Sequence, residues 1–223
     1  MSVSTGMKKL DGLIGGGLPE NTVTLVSGGP GTGKTLFALK FLMEGCQRGE
    51  RCCYISLNET PEELIRACKN IESLKDIGKY LNKNFAMEHM PFWDGNLSLK
   101  RFVDIISSYP KIDRLVLDNV NKLLIFAENR KSYRANLSKL LKHIRPMKSS
   151  IIICETRGDE IDTGNGEAFE CDSVIHLSFL ELEEKPMRTL TIEKMRYTLF
   201  EPKIPYEFLI NEKDISLGES KVI

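Results

Sequence analysis

The sequence predicts an α/β fold: a twisted, mostly parallel central sheet with helices on both faces and antiparallel strands added near the C-terminus. Three observations predict it. Strand-like apolar runs alternate with amphipathic helical runs through the first two thirds of the chain, the pattern of a parallel sheet built from crossover units. A glycine-rich loop joins a buried strand to a helix near the N-terminus. The last third is strand-rich without intervening helices, as expected of antiparallel edge strands.

The elements follow in order. Residues 4–20 are a glycine-rich lead-in, with Leu10, Leu13 and Ile14 facing the core and Gly15-Gly16-Gly17 then Pro19 turning the chain. Thr22–Ser27 reads as a buried strand and Leu36–Leu42 as the body of a helix, with Gly45 and Gly49 marking its end. Arg51–Leu57 is the next strand. Thr60-Pro61-Glu62-Glu63 is a helix start, with Thr60 as N-cap, Pro61 at the first helical position and Glu63 closing a capping box.

Ile71–Leu81 reads as helical, Asn84–His89 as a short strand, and Pro91–Asn96 as a loop that holds the sole tryptophan. Leu97–Tyr109 is amphipathic and Pro110 stops it. Arg114–Asp118 is a strand ending in a carboxylate. Residues 119–146 form one or two helices, and Ser149–Cys154 a central strand. The acidic, glycine-bearing run 155–170 reads as a mobile surface loop. Ser173–Leu177, Thr189–Met195 and Pro205–Ile210 are further strands, and 214–223 reads as a flexible tail. The whole, 1–223, reads as one domain.

Composition narrows the function classes. The 223 residues carry 31 Lys and Arg against 31 Asp and Glu, so no global basic field draws the chain to nucleic acid. No apolar run is long enough to span a bilayer, and the N-terminus has no signal-peptide core, so a cytoplasmic protein with no membrane partner is expected. The six cysteines include no C-x-x-C pair and read as reduced, buried thiols rather than a zinc site.

The chemistry concentrates in Gly28-Gly29-Pro30-Gly31-Thr32-Gly33-Lys34-Thr35, followed by Leu36, which fits G-x-x-x-x-G-K-[ST] at every fixed position. Glycines let main-chain amides approach a phosphate closely, and the helix N-terminus adds a favourable field. Lys34 is the point charge for β- and γ-phosphates and the Thr35 hydroxyl a ligand for Mg²⁺. Asp118, about eighty residues on at a strand end, is the second Mg²⁺ residue. Asn119 follows it, so a water-activating base must come from another strand. Glu59, just past the strand Arg51–Leu57, is either that base or a solvated acid before a helix; the residues alone do not choose. Lys194 and Arg196 lie two apart on a late strand and share a face, either as a charged edge or as cations reaching a neighbouring subunit's phosphate. Arg130, Lys131, Arg134 and Lys139 with Tyr133 make a local basic patch, either a soluble helix face or a contact for a nucleic-acid backbone.

Taken together, these segments resemble the KaiC/RadA-like branch of RecA-type ATPases. The resemblance is carried by STGMKKLDGLIGGGLP, GGPGTGKT, GERCCYISLNETPEEL, RLVLDNV and Glu193-Lys194-Met195-Arg196-x-Thr198, in order and across most of the chain. It implies a RecA-like P-loop core that binds ATP with Mg²⁺ and assembles head-to-tail into hexamers or filaments, with ATP between subunits. Lys194, Met195, Arg196 and Thr198 would then act in trans. It also implies that loops after Asp118 and Thr156 face a central channel, where relatives touch single-stranded DNA; the corresponding contacts are Arg130, Lys131, Arg134 and Arg157. Two departures stand out. Asn58 occupies the first of two consecutive Glu positions, which points to slow hydrolysis or dependence on Glu59, and Phe200 replaces a His. With one such domain, the chain looks like an archaeal-type single-domain RadA paralog in recombination and repair. The alternative is a weakly or non-hydrolysing, KaiC-like nucleotide switch acting on a partner protein.

Overall fold

A computed structural model describes residues 1–91, 99–182 and 185–220, with the side chain of Phe126 outside that description. Trp93 and the expected helix start at Leu97 lie outside the described residues.

The elements in chain order are β1 (Ser2–Val3), α1 (Lys8–Leu13), β2 (Leu18–Pro19), β3 (Val23–Gly28), α2 (Lys34–Gln47), β4 (Cys52–Ser56), α3 (Pro61–Cys68), β5 (Phe85–His89), α4 (Leu99–Ser108), β6 (Arg114–Asp118), α5 (Arg130–Ile144), β7 (Ser149–Glu155), α6 (Glu167–Glu170), β8 (Ser173–Leu180), β9 (Met187–Met195), β10 (Pro205–Ile210) and β11 (Ile215–Ser220). Nine strands form one sheet in the order β11-β10-β9-β8-β3-β7-β6-β4-β5. The six from β8 to β5 run parallel, and β9, β10 and β11 are antiparallel additions. The predicted fold class is the observed one.

Every residue of β3 is buried, because β7 and β8 pair with it on either side and helices cover both faces. Side chains alternate across the sheet. Val26 belongs to one core cluster with Phe37 and Phe41 of α2, while Val23 and Leu25 belong to a second with Phe102 of α4 and Leu137 and Leu141 of α5. Each such buried side chain contributes about 1.5–3 kcal/mol. The two layers fix β3, and the loop that leaves its carboxyl end, in the middle of the molecule.

Several expectations need correction. α2 continues through Gly45 to Gln47. Gly45 is there for packing: an added Cβ would lie 2.6 Å from Cδ of Arg114. Arg114 is fully buried, pairs with Glu50, donates to the carbonyls of Ser4 (2.7 Å) and Phe41 (2.8 Å), and stacks over the Phe41 ring. Residues 71–81 are a series of turns with only a 3-10 helix at Ile77–Tyr80. A second 3-10 helix, Val120–Phe126, precedes α5, whose N-cap is Asn129. The expected flexible tail is the edge strand β11 as far as Ser220, with Ile215 and Leu217 buried. Alternation of apolar and polar residues in ISLGES is the signal the sequence reading passed over.

The expected surface loop 155–170 is only partly that. Residues 157–160 are exposed, but Glu167 is fully buried and accepts hydrogen bonds from Tyr133 (2.6 Å) and Thr163 (2.5 Å). The acid that looked like a surface charge faces inward and ties the segment to α5.

Candidate nucleotide-binding site

The loop between β3 and α2 is shaped by its glycines. Gly28 has φ 149°, and a Cβ there would lie 2.1 Å from the carbonyl oxygen of Leu177 on β8. Gly33, at φ 103°, caps α2, and a Cβ there would strike Ile210 and Phe208 of β10. No other residue type fits either position without moving backbone or core. Lys34 is buried at the first turn of α2, and its Nζ donates to the carbonyl of Gly29 at 2.7 Å. Burial pulls the Lys34 pKa down, while Glu155 and Asp118 oppose that shift.

Thr35 donates its hydroxyl to Oδ2 of Asp118 at 3.2 Å, so the two predicted Mg²⁺ residues meet. Burial pushes the Asp118 carboxyl above its ordinary range, and hydrogen bonds from Tyr54 and Thr35 counter it. Glu59 is half-buried beyond β4. Its amide donates to Oγ of Ser56 at 2.9 Å, and so does that of Asn58 at 3.3 Å, in a side-chain turn that sets the chain direction before α3. The capping box follows as expected, with the Glu63 amide on Thr60 Oγ1 and the Thr60 amide on Glu63. Burial raises the Glu59 pKa, and the charges of Asp118, Glu63 and Glu155 raise it further.

These groups line one cavity of about 490 Å³. Pro30, Gly31, Gly33, Lys34, Thr35 and Leu36 form its floor, and Asn58, Glu59, Asp118, Glu155, Arg188 and Ile210 its walls. It opens at the carboxyl ends of the parallel strands, where such sheets bind ligands. A buried carboxylate beside a hydroxyl is a hard oxygen donor set suited to Mg²⁺. No group of three or more His, Cys, Asp or Glu among the described residues is placed to hold a metal ion. One carboxylate and one hydroxyl fit a cation that draws its remaining ligands from phosphate and water.

Three lining or supporting residues were missed in the sequence. Tyr54 donates to Asp118 from the neighbouring strand, a contact visible only once β4 and β6 are known to be adjacent. Glu155 ends β7 as Asp118 ends β6, and its backbone is clamped by Asn121, which donates to Glu155 O (2.7 Å) and accepts from Glu155 N (2.8 Å). An apolar run closed by an acid was the available signal. Arg188 donates Nε to the Gly31 carbonyl at 3.1 Å with its guanidinium over Phe179.

Lys194 and Arg196 lie elsewhere. Met195 pairs with Ser173, which pairs with Thr24, four residues before Gly28 on β3. That separates them from the phosphate loop by about 13 Å along the strand. Lys194 donates to the carbonyls of Ala168 (2.9 Å), Phe169 (3.3 Å) and Cys171 (2.6 Å), and burial lowers its pKa, with Arg196 adding to the shift. Arg196 is about half exposed and reaches Asp172 at 3.6 Å. Thr198 donates to the Ile14 carbonyl and packs on Gly15. Of the proposed DNA contacts, Arg130 donates to the Gly164 carbonyl and Arg134 pairs with Glu170. Lys131 and Arg157 are exposed.

A family model described as "ATPase: KaiC" matches residues 3–222. The chain belongs to the KaiC ATPase family. It is 31% identical over 223 residues to circadian clock protein KaiC2 of Synechocystis, covering 96% of this chain but 39% of that protein. It is 29% identical over 242 residues to a UPF0273 protein of Pyrococcus furiosus, covering 99% of this chain and 95% of that one. Among solved structures, the KaiC-like protein PH0186 of Pyrococcus horikoshii superposes with a TM-score of 0.82 at 28% identity, covering 98% of this chain and 99% of that one. These relatives are KaiC and UPF0273 proteins rather than RadA paralogs specifically. No helix among the described residues is long and apolar enough to cross a membrane.

Proposed function

We propose that this KaiC-family chain is an ATP-binding, slowly hydrolysing nucleotide switch that acts as an assembly of copies. The observation that carries the reading is the convergence of Lys34, Thr35 and Asp118 beside a loop in which Gly28 and Gly33 leave no room for a side chain. On binding, Lys34 would exchange the Gly29 carbonyl for phosphate oxygens, and Thr35 and Asp118 would hold Mg²⁺. The cation would neutralise charge on the β- and γ-phosphates. Glu59, with its raised pKa and its place on the cavity wall, would accept a proton from the attacking water. Asn58 is a neutral amide and accepts none, which supports slow turnover. Lys194 and Arg196 are too far from their own phosphate loop to serve it, so the site of a second copy is the one they would complete.

The recombination reading, with single-stranded DNA as ligand, has less support. Two of its four cations are committed to the segment 164–170. A regulated protein partner suits a slow switch better.

The test compares wild type with Lys34→Ala in Mg-ATP. At about a hundred times Kd, ATP adds about 2.7 kcal/mol to wild-type stability, read as a raised Tm. Lys34→Ala should lose that shift together with phosphate release. Unchanged affinity and turnover in the variant would overturn the assignment.

A further inference from the structure

We propose that Tyr197 of one copy supplies the aromatic surface on which the base of the nucleotide held by the next copy stacks. The inference rests on the reading above, in which a second copy completes the site, and adds a residue that the family motif does not include.

The site is well furnished for phosphate and poorly furnished for a base. Among the described residues, none of those lining the cavity is aromatic, and its apolar contacts come from Pro30, Leu36 and Ile210. A purine bound there has no ring to lie against among the described lining residues, although base–aromatic stacking is a large, sequence-tolerant source of affinity. The missing ring is displayed elsewhere. Tyr197 is 79% exposed and sits at φ 66°, a conformation that bulky residues rarely adopt. The turn that presents it is tied at both sides: the Arg196 amide donates to the Asp172 carbonyl at 3.1 Å, and Thr198 Oγ1 to the Ile14 carbonyl at 3.3 Å. Tyr197 is thus held outward by its neighbours.

The surroundings of Tyr197 match the mouth of the cavity. Leu199, 95% exposed, and Phe169, 77% exposed, add apolar area beside the half-exposed Arg196. With Asp118 and Lys34 buried, the accessible cavity wall carries two carboxylates, Glu59 and Glu155, against one cation, Arg188. A cationic, apolar turn complements an acidic rim with an apolar corner. Because this turn lies at the opposite end of the sheet from its own phosphate loop, the occupant is a second copy of this chain.

The experiment measures affinity for Mg-ATP and for Mg-tripolyphosphate, which has the phosphates and no base, in the full chain and in Tyr197→Ala and Tyr197→Phe. Expected is about a tenfold loss of ATP affinity in Tyr197→Ala. Tripolyphosphate affinity should hold, and Tyr197→Phe should behave as wild type. Equal losses for both ligands, or no loss for ATP, overturn the proposal. The trans arrangement is read by mixing Tyr197→Ala, whose cavity is intact, with Lys34→Ala, whose Tyr197 is intact. Recovery of tight ATP sites in the mixture is expected. No recovery, or a chain that light scattering shows to stay monomeric with ATP, overturns it. Lys34→Ala alone reports on the underlying reading: if it binds ATP normally, the phosphate site itself is misplaced, whatever Tyr197→Ala does.

Discussion

Tyr54 donates its hydroxyl to Oδ2 of Asp118 at 2.5 Å, and that same oxygen accepts from Thr35 at 3.2 Å. Tyr54 is fully buried between the sheet and α2, so its phenol is a fixed donor rather than one shared with water. Tyr54→Phe keeps the ring and removes the donor. A hydrogen bond to a charged group is worth about 1.5–3 kcal/mol, and urea unfolding at pH 7 should show a loss in that range. The Asp118 carboxyl, already raised by burial, should rise further. The gap between wild type and variant should therefore narrow as pH falls and the carboxyl protonates. The variant should also need more Mg²⁺ for half-maximal ATP binding. A gap independent of pH would show that the lost contact is not to a carboxylate.

The same pair shows what could be read in the sequence and what could not. The loop, Lys34, Thr35 and Asp118 follow from a local pattern, strand then glycines then helix, and from a strand ending in an acid. Each is encoded by neighbours in the chain. Tyr54 and Arg188 are not: they reach the site because β4 lies beside β6 and β9 two strands from β3, and strand order is a property of the whole sheet. Glu167 misled for a related reason. A segment rich in acids and glycines has the composition of a loop, and nothing local shows that Tyr133 across the molecule leaves space for one carboxyl. Gly45 likewise looks like a helix end until Arg114 is seen filling the space where its Cβ would be.

Asn58 gives a gain-of-function test. It is exposed at the cavity wall, one residue before Glu59. If slow turnover comes from the missing first carboxylate, Asn58→Glu should raise steady-state phosphate release by at least about tenfold, less than the roughly hundredfold or more that a positioned base contributes because Glu59 already supplies part of it. Glu59→Gln should lower release in wild type and have a smaller effect in the Asn58→Glu background. Malachite-green or coupled phosphate assays at saturating ATP report both. Unchanged release in Asn58→Glu, with ATP affinity intact, would place the bottleneck after chemistry.

His176 sets a pH limit on the fold around the phosphate loop. Its ring is 5% exposed, its Nδ1 shares a hydrogen bond with Ser27 Oγ at 3.0 Å, and Nε2 is buried with no partner among the described residues. Burial lowers its pKa; Asp159 opposes this and the Lys34 charge adds to it. In the unfolded chain an imidazole titrates near 6.5. The folded state resists the proton, so the unfolded state binds more protons below that value. Stability is therefore full above about pH 6.5 and falls as the pH drops toward the lowered folded value. His176→Gln has no titrating ring and should flatten this part of the stability profile, measured by urea midpoints between about pH 5 and 8. Because Ser27 immediately precedes Gly28, acid should loosen the phosphate loop along with the strand, and ATP affinity in wild type should weaken over the same interval. A wild-type profile that stays flat through that interval, or one unchanged in His176→Gln, would show that the ring keeps its neutral form at no cost to folding.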